Sequence, residues 1–219
     1  MTKFVVACIS LTIISCTNGS NPSEAETSAP DVARSTTESS TAPAVSKPAI
    51  NQRDLEEYKA DLHRIVERLS RQLSEVPLTG VAESDLSKLL IIDFFSALEL
   101  CRLQQKRGIH EEFRKLAQNE AHFFEGAEDY FHEYQLSHVG AYRPPQKGKR
   151  YPVKHIVIPE QTDMDGAFIA VLAEYNDQTA RLLRDFLPKL KDTAMKRKVN
   201  EILQHLLQTN RDLKSVKEA

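Results

Sequence analysis

The chain has 219 residues, of which 41% are hydrophobic, 27% charged and 7% aromatic, and its formal net charge is −2, which sets an expectation of one domain with appendages. That balance suits a globular body; it excludes a polytopic membrane protein and lacks the basic excess of a nucleic-acid binder. Seven glycines, none spaced as G-x-G-x-x-G or G-x-x-x-x-G-K-[ST], leave no phosphate cradle, and three cysteines cannot build a disulfide scaffold.

The first element is an address. Lys3 gives a short positive start, and Phe4 to Ile14 form an apolar run too short to cross a hydrocarbon core of roughly 30 Å. Residues 1–15 read as a signal peptide. The run ends in Ile13-Ile14-Ser15-Cys16, which resembles the bacterial lipobox. The resemblance implies cleavage before Cys16, lipid on its sulfur and an acyl chain on the new amine. Thr17, rather than Asp, then favours the outer membrane in a Gram-negative cell. The competing reading is an ordinary secretory signal with a chance cysteine. Acyl chains at about 0.8 kcal/mol per buried methylene hold a globular domain without a spanning helix. With Cys8 lost in the signal and Cys16 carrying lipid, Cys101 is left without a disulfide partner.

Residues 17–50 contain twelve Ser or Thr and four Pro, and no Leu, Phe or Tyr. Such a segment buries too little apolar surface to offset its ordering entropy, so 16–50 is expected to be a disordered tether with a reach on the order of 30 Å.

From Asn51 to the end, long proline-free stretches carry helical periodicity. Asn51 is a good N-cap for a first helix whose Leu55, Leu62, Ile65, Leu69 and Val76 form one apolar stripe. A second helix is predicted from Ser84 to Arg107, stopped by Gly108. Its Leu89 to Ile92 and Phe94-Phe95 are apolar nearly all round, which places it centrally. A third runs from about Ile109 to Gln135, burying Phe113, Leu116, Ala117, Phe124, Ala127, Phe131 and Tyr134. A fourth spans Asp163 to Leu187 through Phe168, Leu172, Tyr175, Thr179, Leu182 and Phe186. After a turn at Pro188 a fifth, from about Asp192 to Val216, carries Met195, Val199, Ile202, Leu206 and Leu213. Lys154 to Pro159 is the only strand-like scrap. The expected fold is all-α: two helical hairpins, 84–135 and 163–216, forming a four-helix bundle, with the 52–76 helix packed outside or extended as a stalk.

Asp165-Gly166-Ala167-Phe168, Tyr175-Asn176, Leu182-Leu183 and His205-Leu206 with Leu213 resemble the second hairpin of a ferritin-like family of bacterial envelope proteins, a domain of unknown function. Ala97-Leu98-Glu99-Leu100 and Leu116-Ala117 are similar to the matching first hairpin. The resemblance implies a ferritin-like bundle. The chain departs from it where metal chemistry would sit: Asp93-Phe94 stands at a related family's tandem histidine, and Asn176 at the mid-helix histidine. A di-metal centre needs about four carboxylates and two histidines, with Glu-x-x-His on two helices, and no Glu-x-x-His occurs. Asp93, Glu120 and His205 are the remaining metal candidates; the commoner explanation is a buried acid paired with Arg, Tyr or His.

From Gln135 to Pro159 there is no acidic residue, while Arg143, Lys147, Lys149, Arg150 and Lys154 bring positive charge, interleaved with Tyr142 and Tyr151. This segment reads either as an anion- or partner-binding loop or as a solvated crossover. Glu128 and His132 share a helix face, as a zinc pair or, more commonly, an ion pair would. His63, His110 and His122 read as surface or boundary residues, and Cys101 as a small buried apolar group. No nucleophile elbow or Ser-His-Asp set is recognisable.

The sequence therefore favours a non-catalytic, lipid-anchored periplasmic bundle, without a cofactor, acting as an interaction or structural module of the cell envelope. Its partners would be the membrane through the anchor and an envelope protein or anionic lipid, not nucleic acid. The alternatives are a ferritin-like metal- or ligand-binding domain and a periplasmic inhibitor or immunity protein.

Overall fold

The computed structural model describes residues 51–138, 150–151, 155–160 and 162–217. Five α-helices follow in order: α1 (Gln52–Glu75), α2 (Ala82–Arg107), α3 (Glu111–His138), α4 (Met164–Phe186) and α5 (Thr193–Lys217), with a 3-10 turn at Leu187–Lys189. The described residues contain no strand.

The helix starts have identifiable causes. Asn51 Oδ1 accepts the Arg53 amide at 3.1 Å, as expected of an N-cap. Asp163 caps α4 by accepting the Gly166 amide at 2.7 Å, and Asp192 Oδ1 accepts the Met195 amide at 2.7 Å. The start of α2 differs from the expectation. The helix begins at Ala82 without a side-chain cap, and Asp85 instead folds back to accept the amides of Thr79 and Gly80 and the Thr79 hydroxyl. Gly80 takes φ 82°, the left-handed backbone that glycine adopts without a Cβ penalty. Gly108 does close α2, but for want of space rather than for its φ of −57°. A Cβ there would sit 2.5 Å from the Gln104 side chain and 2.6 Å from its carbonyl oxygen.

Side-chain bonds fix the helix directions. Glu83 at the start of α2 accepts the amides of Lys191 and Asp192, just past α4. Gln104 near the end of α2 bonds Asp165 at the start of α4, so the two run antiparallel. Gln135, late in α3, donates to the Ser84 carbonyl at 2.9 Å. Glu120, early in α3, meets Thr209, late in α5, at 3.1 Å. Packing pairs are α2 with α3, α4 with α5, α1 with α2 and α4, and α2 with α4. Hence α1 lies against the bundle and is not a stalk.

These directions leave α3 and α4 parallel, and the described residues between them lie at successive levels along α1 and α4. Arg150 reaches the Ser74 carbonyl at the end of α1. Further along, the His155 carbonyl accepts from Gln178 at 2.7 Å, and the Glu160 carbonyl accepts from Lys59 near the start of α1. Ile156 and Ile158 are buried while Val157 is 66% exposed. The alternation that reads as a strand is therefore real in its side-chain pattern. Its backbone bonds side chains rather than a neighbouring strand.

The interior is built on Phe94, Phe124 and Phe131, with ring centroids 5.7 and 6.1 Å from Phe94, and on Tyr175, whose ring meets Phe124 edge-on at 5.8 Å. Every residue expected to be buried on α4 and α5 is buried. Along α1 and its C-cap the stripe is Tyr58, Leu62, Leu69, Leu73 and Val76. Leu55 and Ile65 sit at its edge, because the stripe follows the groove between α2 and α4. Phe113 and Leu116 are only half-buried near the start of α3.

Candidate functional site

The polar groups of the interior form three clusters, each joining different helices. In the first, Glu120 of α3 is 4% exposed. Its oxygens lie 3.1 and 3.2 Å from His205 Nε2 and accept the Thr209 hydroxyl at 3.1 Å, both from α5. Phe123 stacks on the His205 ring with centroids 3.5 Å apart, which fixes the imidazole plane against the carboxylate. The sequence candidates Glu120 and His205 are thus brought together.

Asp93 belongs to a second cluster. It is fully buried on α2 and accepts the Thr179 hydroxyl of α4 at 2.8 Å. Burial, reinforced by the Asp93 charge, pushes the Tyr175 phenol well above its ordinary pKa. Asp93, Glu120 and His205 do not form one ligand set, and among the described residues no group of three or more His, Cys, Asp or Glu side chains could hold a metal ion. A charge-bearing acid cannot sit in an apolar interior unpaired; Glu120 meets that requirement with histidine and Asp93 with a hydroxyl.

The third cluster was not foreseen. Asp165, 2% exposed at the start of α4, accepts from Gln104 Nε2 at 2.5 Å, the Ile109 amide at 3.1 Å, the His110 amide at 2.9 Å and His110 Nδ1 at 2.6 Å. Tyr58 of α1 donates to Gln104 Oε1 at 2.6 Å. One carboxylate therefore ties α4 to the α2–α3 turn and, through Gln104, to α1. Burial, then the Asp165 charge, raises the Tyr58 pKa far above its ordinary value. The sequence signal existed in Asp165-Gly166 at a helix start and His110 at a turn, but no spacing rule joins residues that far apart. His110 is half-exposed, in keeping with a boundary position, yet it is bonded rather than free.

The remaining candidates divide plainly. Cys16, Tyr142, Arg143, Lys147, Lys149 and Lys154 lie outside the described residues. Arg150 is exposed and bonds a helix-end carbonyl. Tyr151 is half-buried against the interior, and burial, then Asp185 and Asp93, push its phenol up to about 12. Cys101 is fully buried, and burial, then the Glu120 charge, raises its thiol pKa, the opposite of what a nucleophile needs. Glu128 and His132 pair at 3.5 Å along α3. Asn176, at the resemblance's histidine position, is fully buried and donates to Asn210 Oδ1 of α5 at 3.2 Å.

No family model matches the chain, and neither a curated protein nor a solved structure does. No helix among the described residues is long and apolar enough to cross a membrane.

Proposed function

We propose that this chain is a lipid-anchored, non-catalytic helical bundle of the cell envelope, serving as an interaction or structural module. The observation that carries the reading is the use of the buried carboxylates. Asp93, Glu120 and Asp165 each take hydrogen bonds from a different helix, so the groups that could do chemistry act as fasteners between helices. The lipobox-like Ile13-Ile14-Ser15-Cys16 and the Ser/Thr/Pro-rich tether supply the anchor. A ferritin-like bundle is part of this reading, supported by α2 and α5 running one way and α3 and α4 the other, since parallel second and third bundle helices suit a single long crossover.

The anchor is tested by mass spectrometry of the chain purified from its own membranes. The expected mature N-terminus is Cys16 carrying acyl groups. Retention of residues 1–15, or an unmodified Cys16, overturns it. A second reading, a ferritin-like metal-binding domain, is favoured by Glu120 and His205 facing each other from α3 and α5. It requires further ligands that the described residues do not bring to that pair.

A further inference from the structure

A groove of about 480 Å³ lies on the outer side of the α1–α2 pair, far in character from the polar clusters of the interior. Its walls carry Arg64 and Arg68, one turn apart on α1, and Arg102 and Lys106, one turn apart on α2. Two acids, Asp61 and Glu99, share the groove, and both are already committed. Asp61 pairs with Arg64 and, at 3.4 Å, with Arg107; Glu99 pairs with Arg68. Arg102 and Lys106 have no hydrogen-bond or ion-pair partner among the described residues. The Arg68 Nε–H is buried and also lacks a hydrogen-bond partner, so this guanidinium has a donor that its pairing with Glu99 leaves unused.

Three cationic side chains with unused donors thus border one concave surface that holds twice as many cations as anions. Guanidinium groups present planar forks of N–H donors that match tetrahedral oxyanions, and a buried donor without an acceptor is unfavourable until it finds one. Ile65 and Leu103 supply apolar surface beside the charges, which suits an ester substituent rather than a bare ion. The volume falls within the ordinary range for small-molecule sites, about 300–1,000 Å³.

We propose that this groove is a binding site for a phosphate ester, held by Arg68, Arg102 and Lys106. The site goes beyond the role assigned above and is independent of the lipid anchor. Phosphate monoesters occur free and phosphodiesters occur as lipid headgroups, and both present the same oxygens to these donors.

The test is calorimetric titration of the full chain with two soluble probes, sn-glycerol 3-phosphate and monomeric dihexanoyl phosphatidylglycerol. The double variant Arg102→Glu/Lys106→Glu and the single variant Arg68→Lys accompany the wild type. Arg102 and Lys106 are exposed and unbonded, so the double variant should keep its thermal midpoint. Saturable binding of at least one probe is expected, weakened about tenfold or more in the double variant, because two charge-assisted contacts are reversed in sign. Arg68→Lys keeps the charge and removes Nε, and should also weaken binding. Saturation by the monoester alone assigns a soluble compound, and by the lipid alone a headgroup. Failure of both probes to bind, or equal affinity in the wild type and the double variant, overturns the proposal.

Discussion

Replacing Asp165 by Ala tests the fastener argument most sharply. The carboxylate accepts four hydrogen bonds, from Gln104, the Ile109 and His110 amides and the His110 ring. Alanine leaves the fully buried Gln104 amide and the Ile109 N–H without their acceptor, while water can reach the half-exposed His110. At about 1–3 kcal/mol for each of these two donors, the loss comes to about 2–6 kcal/mol. For a domain of this size each kcal/mol moves the melting temperature by about 2–4 °C, so the midpoint should fall by roughly 10 °C. Circular dichroism at the helical band reads the midpoint, and hydrogen exchange should show the Ile109 and His110 amides losing protection. Asp165→Asn retains one carbonyl acceptor and should fall between the two. A midpoint lowered by less than about 2 °C, with those amides still protected, would refute the reasoning.

Other consequences follow from the same structure. Glu120→Ala removes the acceptor shared by His205 and Thr209 and should cost about 2–4 kcal/mol in urea unfolding, whereas Glu120→Gln should cost less than half of that. Gly108→Ala should destabilise by about 1–3 kcal/mol through overpacking, since the new methyl meets Gln104 at 2.5 Å; an unchanged urea midpoint would contradict it. Burial raises the pKa of Tyr58, Tyr151, Tyr134 and Tyr175, with Tyr134 and Tyr151 pushed up to about 12 against an ordinary 10.0. Folded pKa values above the unfolded ones mean that this stability is intact below pH 10 and is lost as pH climbs through 12. The larger part of the absorbance rise at the phenolate band should therefore accompany the loss of helical signal. Glu83 behaves in the opposite sense: burial opposes its ionisation, but the Lys191 and Asp192 amides prevail and hold it below the ordinary 4.5. Its contribution is present above pH 4.5 and disappears on acidification through the lower folded value; a Glu83→Gln chain should lose that acid-side dependence.

Much of the fold was legible because each helix carries its own local signals. Asn51 announced α1, and Gly108 marked the end of α2. The seven-residue recurrence on α5 located every buried side chain named for it. What escaped was the start of α2, where Asp85 serves the preceding turn instead of the helix. Local spacing could not distinguish those uses. The pairing of Glu120 with His205 was readable as two polar residues on apolar stripes, whereas Asp93 looked equivalent and proved separate. Their depth along different helices decides which groups meet, and depth depends on the register between helices. The Asp165 hub was hidden for the same reason: Tyr58, Gln104 and His110 lie 107, 61 and 55 positions away from it in the chain. The strand-like Ile156–Val157–Ile158 pattern arises because burial against helices on one side produces the same alternation as a sheet face.

The central claim, that the buried acids and histidine join helices and do not bind metal, is tested most directly by elemental analysis. The full chain would be purified without chelators from metal-replete cells and measured for iron, copper and zinc. The account predicts well below one equivalent of any of them, unchanged in Glu120→Gln and His205→Gln variants. A stoichiometric metal that disappears in those variants would contradict it.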